Sequence, residues 1–266
     1  VARILITGST DGIGLATAQR LAADGHAVVV HGRSPAKVAD AVAAVGGGAC
    51  GAVADFADLA SVRELGLRIA DDGIDVLISN AGTFAAERTL TADGHETTWQ
   101  VNHLAPFLLT DLLLDALARA GGRVVTVAAG MYARAELDLA DPEFASRPYD
   151  GRAAYGQSKL ANVLTMAELV RRLGPEAPLT VTALHPGVVA TKLMTAAFGA
   201  PGQQTPDEAA AAAARLAVDP ALADTTGVFS MNGRERPPTG AGADADAARA
   251  LYDLSCHQLG VPGLPG

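Results

Sequence analysis

The sequence predicts an α/β fold in which one doubly wound parallel sheet is covered by helices on both faces. Three observations carry this expectation. Short apolar runs alternate with helix-length segments along the chain, the runs are continuous rather than alternating in polarity, and a glycine-rich turn follows the first of them. Parallel neighbours need a crossover, usually a helix, and strands buried on both faces read as unbroken apolar runs.

Taken in order, the strands are ARILIT (2–7), AVVVHG (27–32), ACGAVA (49–54), DVLISN (75–80), RVVTVA (123–128), LTVTAL (179–184) and a weaker TGVFSM (226–231), about seven in all. Helical segments lie near 13–24, 35–45, 58–71, 90–119, 152–173 and 206–217. The alanine-rich stretch 208–216 reads as a packed helix, because alanine is the best helix former and Asp207 and Glu208 favour its first turn. No internal repeat or dividing linker is present, so residues 1–266 form a single domain.

Composition narrows the partners. With 266 residues and 49% hydrophobic composition the chain can bury one large core. Lys and Arg total 20 against 29 Asp and Glu, a net charge of −9 with no basic run, which argues against nucleic acid or an anionic membrane as partner. Cys50 and Cys256 are far apart and in no metal-ligand spacing, so two reduced thiols, no metal and a cytoplasmic location are expected. No uninterrupted apolar stretch approaches the roughly 18 residues of a membrane span, and a soluble chain is expected.

Two motifs carry chemistry. In TGSTDGIG (7–14), Gly8, Gly12 and Gly14 allow a tight turn and close approach to a pyrophosphate, while the following helix directs free N–H groups and a positive dipole end at the phosphates. Its spacing differs from GxGxxG. In YGQSK, Tyr155 and Lys159 lie one helical turn apart on the same face.

Together with Asp55 in ADF, NAG at 80–82, Asn102 in VNHLAPF and HPGVVAT at 185–191, these motifs resemble the short-chain dehydrogenase/reductase family over nearly the whole chain. YGQSKLANVL and the ending ARALYDLSCHQLGVP look most like the branch of retinol dehydrogenases and related carbonyl reductases. The resemblance implies a Rossmann-type fold, with a cofactor half at about 1–120 and a catalytic and substrate half at about 121–266. It implies an oxidoreductase in which Tyr155 protonates a carbonyl oxygen as hydride arrives, or acts as base in the reverse direction. A free phenol titrates near ~10, so Lys159 is expected to stabilise its phenolate and to bond the nicotinamide ribose. Asn102 is expected to hold a water that links Lys159 to solvent.

The same resemblance implies the cofactor contacts. Gly8, Ser9, Gly12, Ile13, Gly14, Asn80 and Gly82 would form the cradle, and Asp55 would accept the adenine amino group. Pro186, Gly187, Val188 and Thr191 would lie under the nicotinamide carboxamide. His185 and His103 read as packed histidines. At the end of the second strand, where NAD-selective members usually carry an acid, stand Gly32 and Arg33; an arginine meets a 2′-phosphate through charge-assisted hydrogen bonds. NADP(H) is therefore favoured over NAD(H), against the dissent of Asp11 in the glycine turn.

One family feature is missing. The fifth strand normally ends in two serines, the second of which bonds the substrate oxygen; here Ala128 and Ala129 take their places, followed by Gly130 and Met131. Thr126 points its hydroxyl away, leaving Tyr132 as the nearest substitute donor. Losing one such donor costs ~3 to 4 kcal/mol, which depresses activity without excluding it. Three readings stay open: a reductase with a substitute donor, a non-redox enzyme performing cyclisation or dehydration, and a cofactor-binding protein or engineered inactive variant.

The substrate side is apolar. Met194 and Phe198 lie on a short helix before a proline- and glycine-rich loop, suggesting a lid at about 191–205 over a pocket that also includes Ala129, Met131 and Tyr132. A small or medium hydrophobic ketone, such as a ring system of secondary metabolism, is the expected substrate. Family members commonly pair the helices carrying Asn102 and Tyr155 across two-fold axes, so a homodimer or homotetramer is expected.

Overall fold

The computed structural model describes all residues from Val1 to Gly266. Eight strands, β1 (Arg3–Ile6), β2 (Ala27–Gly32), β3 (Cys50–Val53), β4 (Val76–Ser79), β5 (Arg123–Val127), β6 (Thr180–Leu184), β7 (Phe229–Met231) and β8 (Arg234–Arg236), form one sheet in the order β3-β2-β1-β4-β5-β6-β7-β8. All pairs are parallel except β7 with β8. The helices are α1 (Gly12–Ala23), α2 (Pro35–Val45), α3 (Leu59–Asp72), α4 (Thr97–Trp99), α5 (Ala105–Ala120), α6 (Gly151–Leu173), α7 (Lys192–Phe198), α8 (Pro206–Val218) and α9 (Ala245–Leu259).

The doubly wound arrangement follows from what the strands bury. Leu5, Leu77 and Val124 face α3, α5, α6 and α9, whereas Ile4, Ile6, Val76 and Val125 face α1, α2 and α8. Chain order reverses direction between β1 and β4, which opens a crevice at the carboxyl ends of these strands where ligands bind in such sheets.

Four features differ from the sequence expectation. The sheet has an eighth strand, because Asn232 and Gly233 adopt positive φ and return the chain as a short antiparallel edge. The helix expected from residue 90 begins at Thr97, since Leu90 and Glu96 form an antiparallel bridge and the Glu96 carboxylate caps the N–H groups of Thr98 and Trp99. Between α4 and α5, Gln100–Leu104 is π-helical. Helix α9 was not among the expected elements, although Ala248, Leu251, Tyr252, Ser255, Cys256 and Leu259 line one buried face at helical spacing.

The run Thr97–Ala120 is long and apolar enough to cross a membrane by length and composition, but 72% of its most apolar window is buried within the fold. Helix α9 packs over it and over α6. His103 Nε2 lies 2.8 Å from Ser255 Oγ, Phe107 stacks on Tyr252, and Arg172 pairs with Asp253 at 2.6 Å.

His31, at the end of β2, pins the glycine turn to the sheet. Its Nδ1 accepts the Gly8 N–H at 3.1 Å, its own N–H donates to Ser9 Oγ at 2.9 Å, and its carbonyl accepts the Ser9 N–H at 2.9 Å. Burial holds the ring neutral, pushing its pKa down to about 4, and burial pushes His103 down to about 3. The unfolded chain therefore binds protons below pH 6.5 that the folded chain refuses. The stability contributed by the neutral rings is complete above pH 6.5 and is lost as pH falls toward 4 and then 3, with His31 contributing roughly 3 kcal/mol. Urea titrations from pH 7 to 4 should show this loss. His31→Asn keeps an acceptor for Gly8 without a titrating ring and should flatten it; an unchanged slope would remove His31 from the account.

Candidate active site

A cleft of about 860 Å³ opens at the carboxyl edge of β1, β2, β4 and β5. Gly8 and Gly12 take positive φ of 64° and 54°. A Cβ on Gly8 would lie 2.8 Å from Ala81 Cα, and one on Gly14 would lie 2.5 Å from the Gly8 carbonyl, so neither position accepts a side chain. Asn80 holds the turn by donating Nδ2 to the Thr7 and Gly8 carbonyls at 2.9 and 3.2 Å. The N–H groups of Ile13 and Gly14 have no partner within the chain and open α1 toward the cleft, an arrangement that suits a diphosphate.

Ser9 is corrected from a cofactor contact to a structural one. It is fully buried, and its hydroxyl donates to the Ile6 carbonyl at 2.7 Å while accepting from His31, so Thr10 faces the cleft instead. Asp55 lines the cleft, its Oδ1 accepting the Ala57 N–H at 3.0 Å. Arg33 is exposed on the rim and forms no ion pair. Asp11 does form one, with Lys192 at the start of α7, so a salt bridge joins the glycine turn to the expected lid.

The segment HPGVVAT brings Pro186 and Thr191 to the cleft. Gly187 has φ 98°, and its missing side chain is replaced by Gln204, whose Oε1 occupies the space a Cβ would need. The Val188 carbonyl accepts from Gln203 and Gln204, leaving its N–H without a partner. Thr191 caps α7 by accepting the Met194 N–H at 3.2 Å.

Asp150 caps α6 through the N–H groups of Arg152 and Ala153, and the helix then carries Tyr155 and Lys159 into the cleft. Lys159 is 3% exposed and donates to the Val127 carbonyl at 3.1 Å, with Nζ 5.6 Å from the centre of the Tyr155 ring. The expected lowering of the phenol's pKa is not found in the protein chain by itself. Burial pushes Tyr155 up to about 12 and Lys159 down to about 8, and the ammonium donates to a carbonyl and not to the hydroxyl. At neutral pH the phenol is therefore held in its acid form.

Asn102 is tied into the fold through its side chain. Its Oδ1 accepts the Thr83 N–H at 2.7 Å, and its Nδ2 donates to the Thr83 carbonyl and to Ser158 Oγ, both at 3.0 Å. Its own carbonyl accepts from Asn162 at 2.9 Å. The side chain thus ties the strand exit at Gly82 to α6.

Ala128 and Ala129 directly follow β5, with Ala128 on the cleft wall. The substitute donor is corrected too: Tyr132 is 4% exposed, stacks on Phe229 and accepts the Thr239 N–H at 3.1 Å, so it belongs to the core. Thr126 faces an internal space beneath α5 and α6, and the His185 ring packs against Gly130. Met131, in the 3-10 turn Gly130–Arg134, packs against α6 at Gly156, whereas Phe198 meets Tyr155 edge-on at 6.3 Å. Sequence reasoning missed Phe84, which meets Tyr155 from another side at 6.4 Å. Its signal was its place two residues after NAG, at the same sheet edge.

Residues 2–200 match the short chain dehydrogenase family, and the chain belongs to it. A protein of Streptomyces sp. (strain C5) carrying the name daunorubicin C-13 ketoreductase DnrU is 40% identical over 97% of this chain and 92% of its own length. Human retinol dehydrogenase 13 is 34% identical over 97% and 84%. Among solved structures, an uncharacterized protein from Mycobacterium paratuberculosis superposes with a TM-score of 0.84 at 35% identity, covering 100% of this chain and 95% of its own. A short chain dehydrogenase from Burkholderia cenocepacia in complex with NADP gives 0.69 at 31%, covering 91% and 98%. The chain is thus a family oxidoreductase acting on carbonyl or alcohol substrates, and the family uses NAD(P)(H).

With the strand-end hydroxyl absent and Tyr132 committed elsewhere, Ala129→Ser should raise carbonyl reduction by ~10². Steady-state kinetics on the two proteins check this. Equal rates would mean that another donor already serves the oxygen.

Proposed function

We propose that the protein is an NADP(H)-dependent oxidoreductase that interconverts a hydrophobic ketone and a secondary alcohol, with Tyr155 as acid and base. The observation that carries this reading is the phenol at the cleft, buried, neutral at pH 7 and one turn from a buried ammonium. Bound nicotinamide cofactor supplies or accepts the hydride. The chain's own part is to bind the dinucleotide at the N-terminus of α1, to orient the carbonyl and to move one proton at the Tyr155 hydroxyl. In reduction Tyr155 gives that proton, and Lys159 compensates the negative charge left on the phenolate.

The NADP(H) preference is supported by Arg33, a free guanidinium on the rim with no carboxylate beside it at the end of β2. The Asp11 carboxylate, whose charge opposes a 2′-phosphate, is partly compensated by Lys192. A cytoplasmic location is supported by the two unpaired thiols of Cys50 and Cys256. As to assembly, a homo-oligomer formed by pairing the helices that carry Asn102 and Tyr155 would have to displace α9 from α5 and α6. We therefore infer a monomer, whose mass light scattering would verify; a stable dimer mass would reinstate helix pairing.

Incubation with NADPH and a panel of apolar ketones tests the main reading. NADPH oxidation should accompany alcohol formation, and Tyr155→Phe should abolish both while leaving NADPH binding within a few-fold of wild type. Turnover that survives Tyr155→Phe, or product formed without NADPH consumption, would end it. For the cofactor, Arg33→Glu should weaken NADPH binding ~10-fold or more and leave NADH nearly unchanged; equal effects on both would refute the preference.

A further inference from the structure

Of the six phenylalanines, Phe56, Phe107, Phe144 and Phe229 are at most 5% exposed, and only Phe84 and Phe198 are half-buried. Neither Phe84 nor Phe198 belongs to the hydrophobic clusters that pack the two faces of the sheet. What they share is Tyr155. Phe84 meets its ring at 6.4 Å with an interplanar angle of 64°, and Phe198 meets it at 6.3 Å and 81°.

Each ring is held there by its own device. Gly151 at the start of α6 makes room for Phe84, since a Cβ would lie 3.1 Å from the Phe84 ring and 2.4 Å from the Ala85 carbonyl. On the other side Arg152 donates to the Ala197 carbonyl at 3.1 Å and places its guanidinium 5.8 Å from the centre of the Phe198 ring. Aromatic rings kept partly in water beside a reacting group form a binding surface, and their edges and faces reward a flat π-system more than a puckered one. Ala129 adds no polar side chain to this neighbourhood.

We infer that Phe84 and Phe198 are specificity-determining residues that select ketones whose carbonyl is attached to a planar aromatic ring. This rests on the reading of Tyr155 as the proton donor but adds a substrate class to it. The ring would lie between Phe84 and the Phe198 end of α7, with the carbonyl oxygen toward the Tyr155 hydroxyl.

The probes are methyl phenyl ketone and methyl cyclohexyl ketone, which differ in planarity and π-character but little in size. Affinity is read by ligand-observed NMR on the NADP⁺-saturated protein, and kcat/KM is read with NADPH. Wild type should prefer the phenyl ketone in both measurements. Phe84→Leu and Phe198→Leu should each reduce that preference roughly 2- to 10-fold, whereas Phe84→Tyr should retain it. Thermal melts establish that each variant is folded, and a variant that is not is replaced by the corresponding Met substitution. Equal affinity for the two ketones, a preference for the saturated ring, or a preference untouched by both leucines would overturn the inference. If the phenyl ketone binds selectively through both rings but is never reduced, the aromatic assignment holds while the redox reading falls.

Discussion

The site depends on how closely three stretches of backbone approach one another at the carboxyl edge of the sheet. Gly8 touches Ala81, Gly14 touches Gly8 and Asn80, and Thr7 Oγ1 receives the N–H groups of both Asn80 and Ala81 at 2.9 and 3.0 Å. His31 closes the ring from β2. Carbonyls of the turn are thereby consumed internally, while the first N–H groups of α1 are left facing the cleft. An anion site made this way has its dipoles fixed before any ligand arrives, so little reorganisation is needed when charge enters.

A second chain of contacts couples that edge to the reacting groups. From Ala81 the backbone passes to Gly82, where a Cβ would come within 3.5 Å of Lys159 Nζ, and on to Thr83, which is bonded in both directions to Asn102. The π-helical turn at Gln100–Leu104 gives Asn102 this aim, and Ser158 and Asn162 on α6 complete the tie. Lys159 thus stands where the glycine turn, the fourth strand and α6 meet. Burial is what makes its ammonium reluctant to stay charged above about pH 8, and the Val127 carbonyl is the one group that accepts from it.

How much of this could be read from residues alone depended on whether a local rule or a distant contact decided the outcome. The strands from β1 to β6 were legible because burial on both faces leaves apolar runs, and Tyr155 with Lys159 was legible because helical spacing places them on one face. The start at Thr97 was hidden because its cap is a glutamate, a poor signal, made effective by a bridge to Leu90. Ser9 and Tyr132 were misjudged because their hydroxyls are aimed by partners far along the chain, His31 and Thr239. The α9 face was legible in principle, since its apolar positions follow helical spacing, but polar residues between them masked the pattern.

The alanines that follow β5 acquire a physical context from these arrangements. Losing an oxyanion donor costs most in a site closed to water, where no solvent molecule can take its place beside the developing charge. Here Tyr155 is 8% exposed, flanked by two phenylalanines, and it is held as a neutral acid. A single protic group in such an apolar setting acts on the carbonyl oxygen with little competition from solvent, so its one hydrogen bond is stronger than it would be in water. The same setting raises the energy of the phenolate it leaves behind, and the nearby Lys159 ammonium is the only cation within the buried layer able to compensate. The chemistry therefore rests more heavily on this pair than it would in a site that keeps the strand-end hydroxyl.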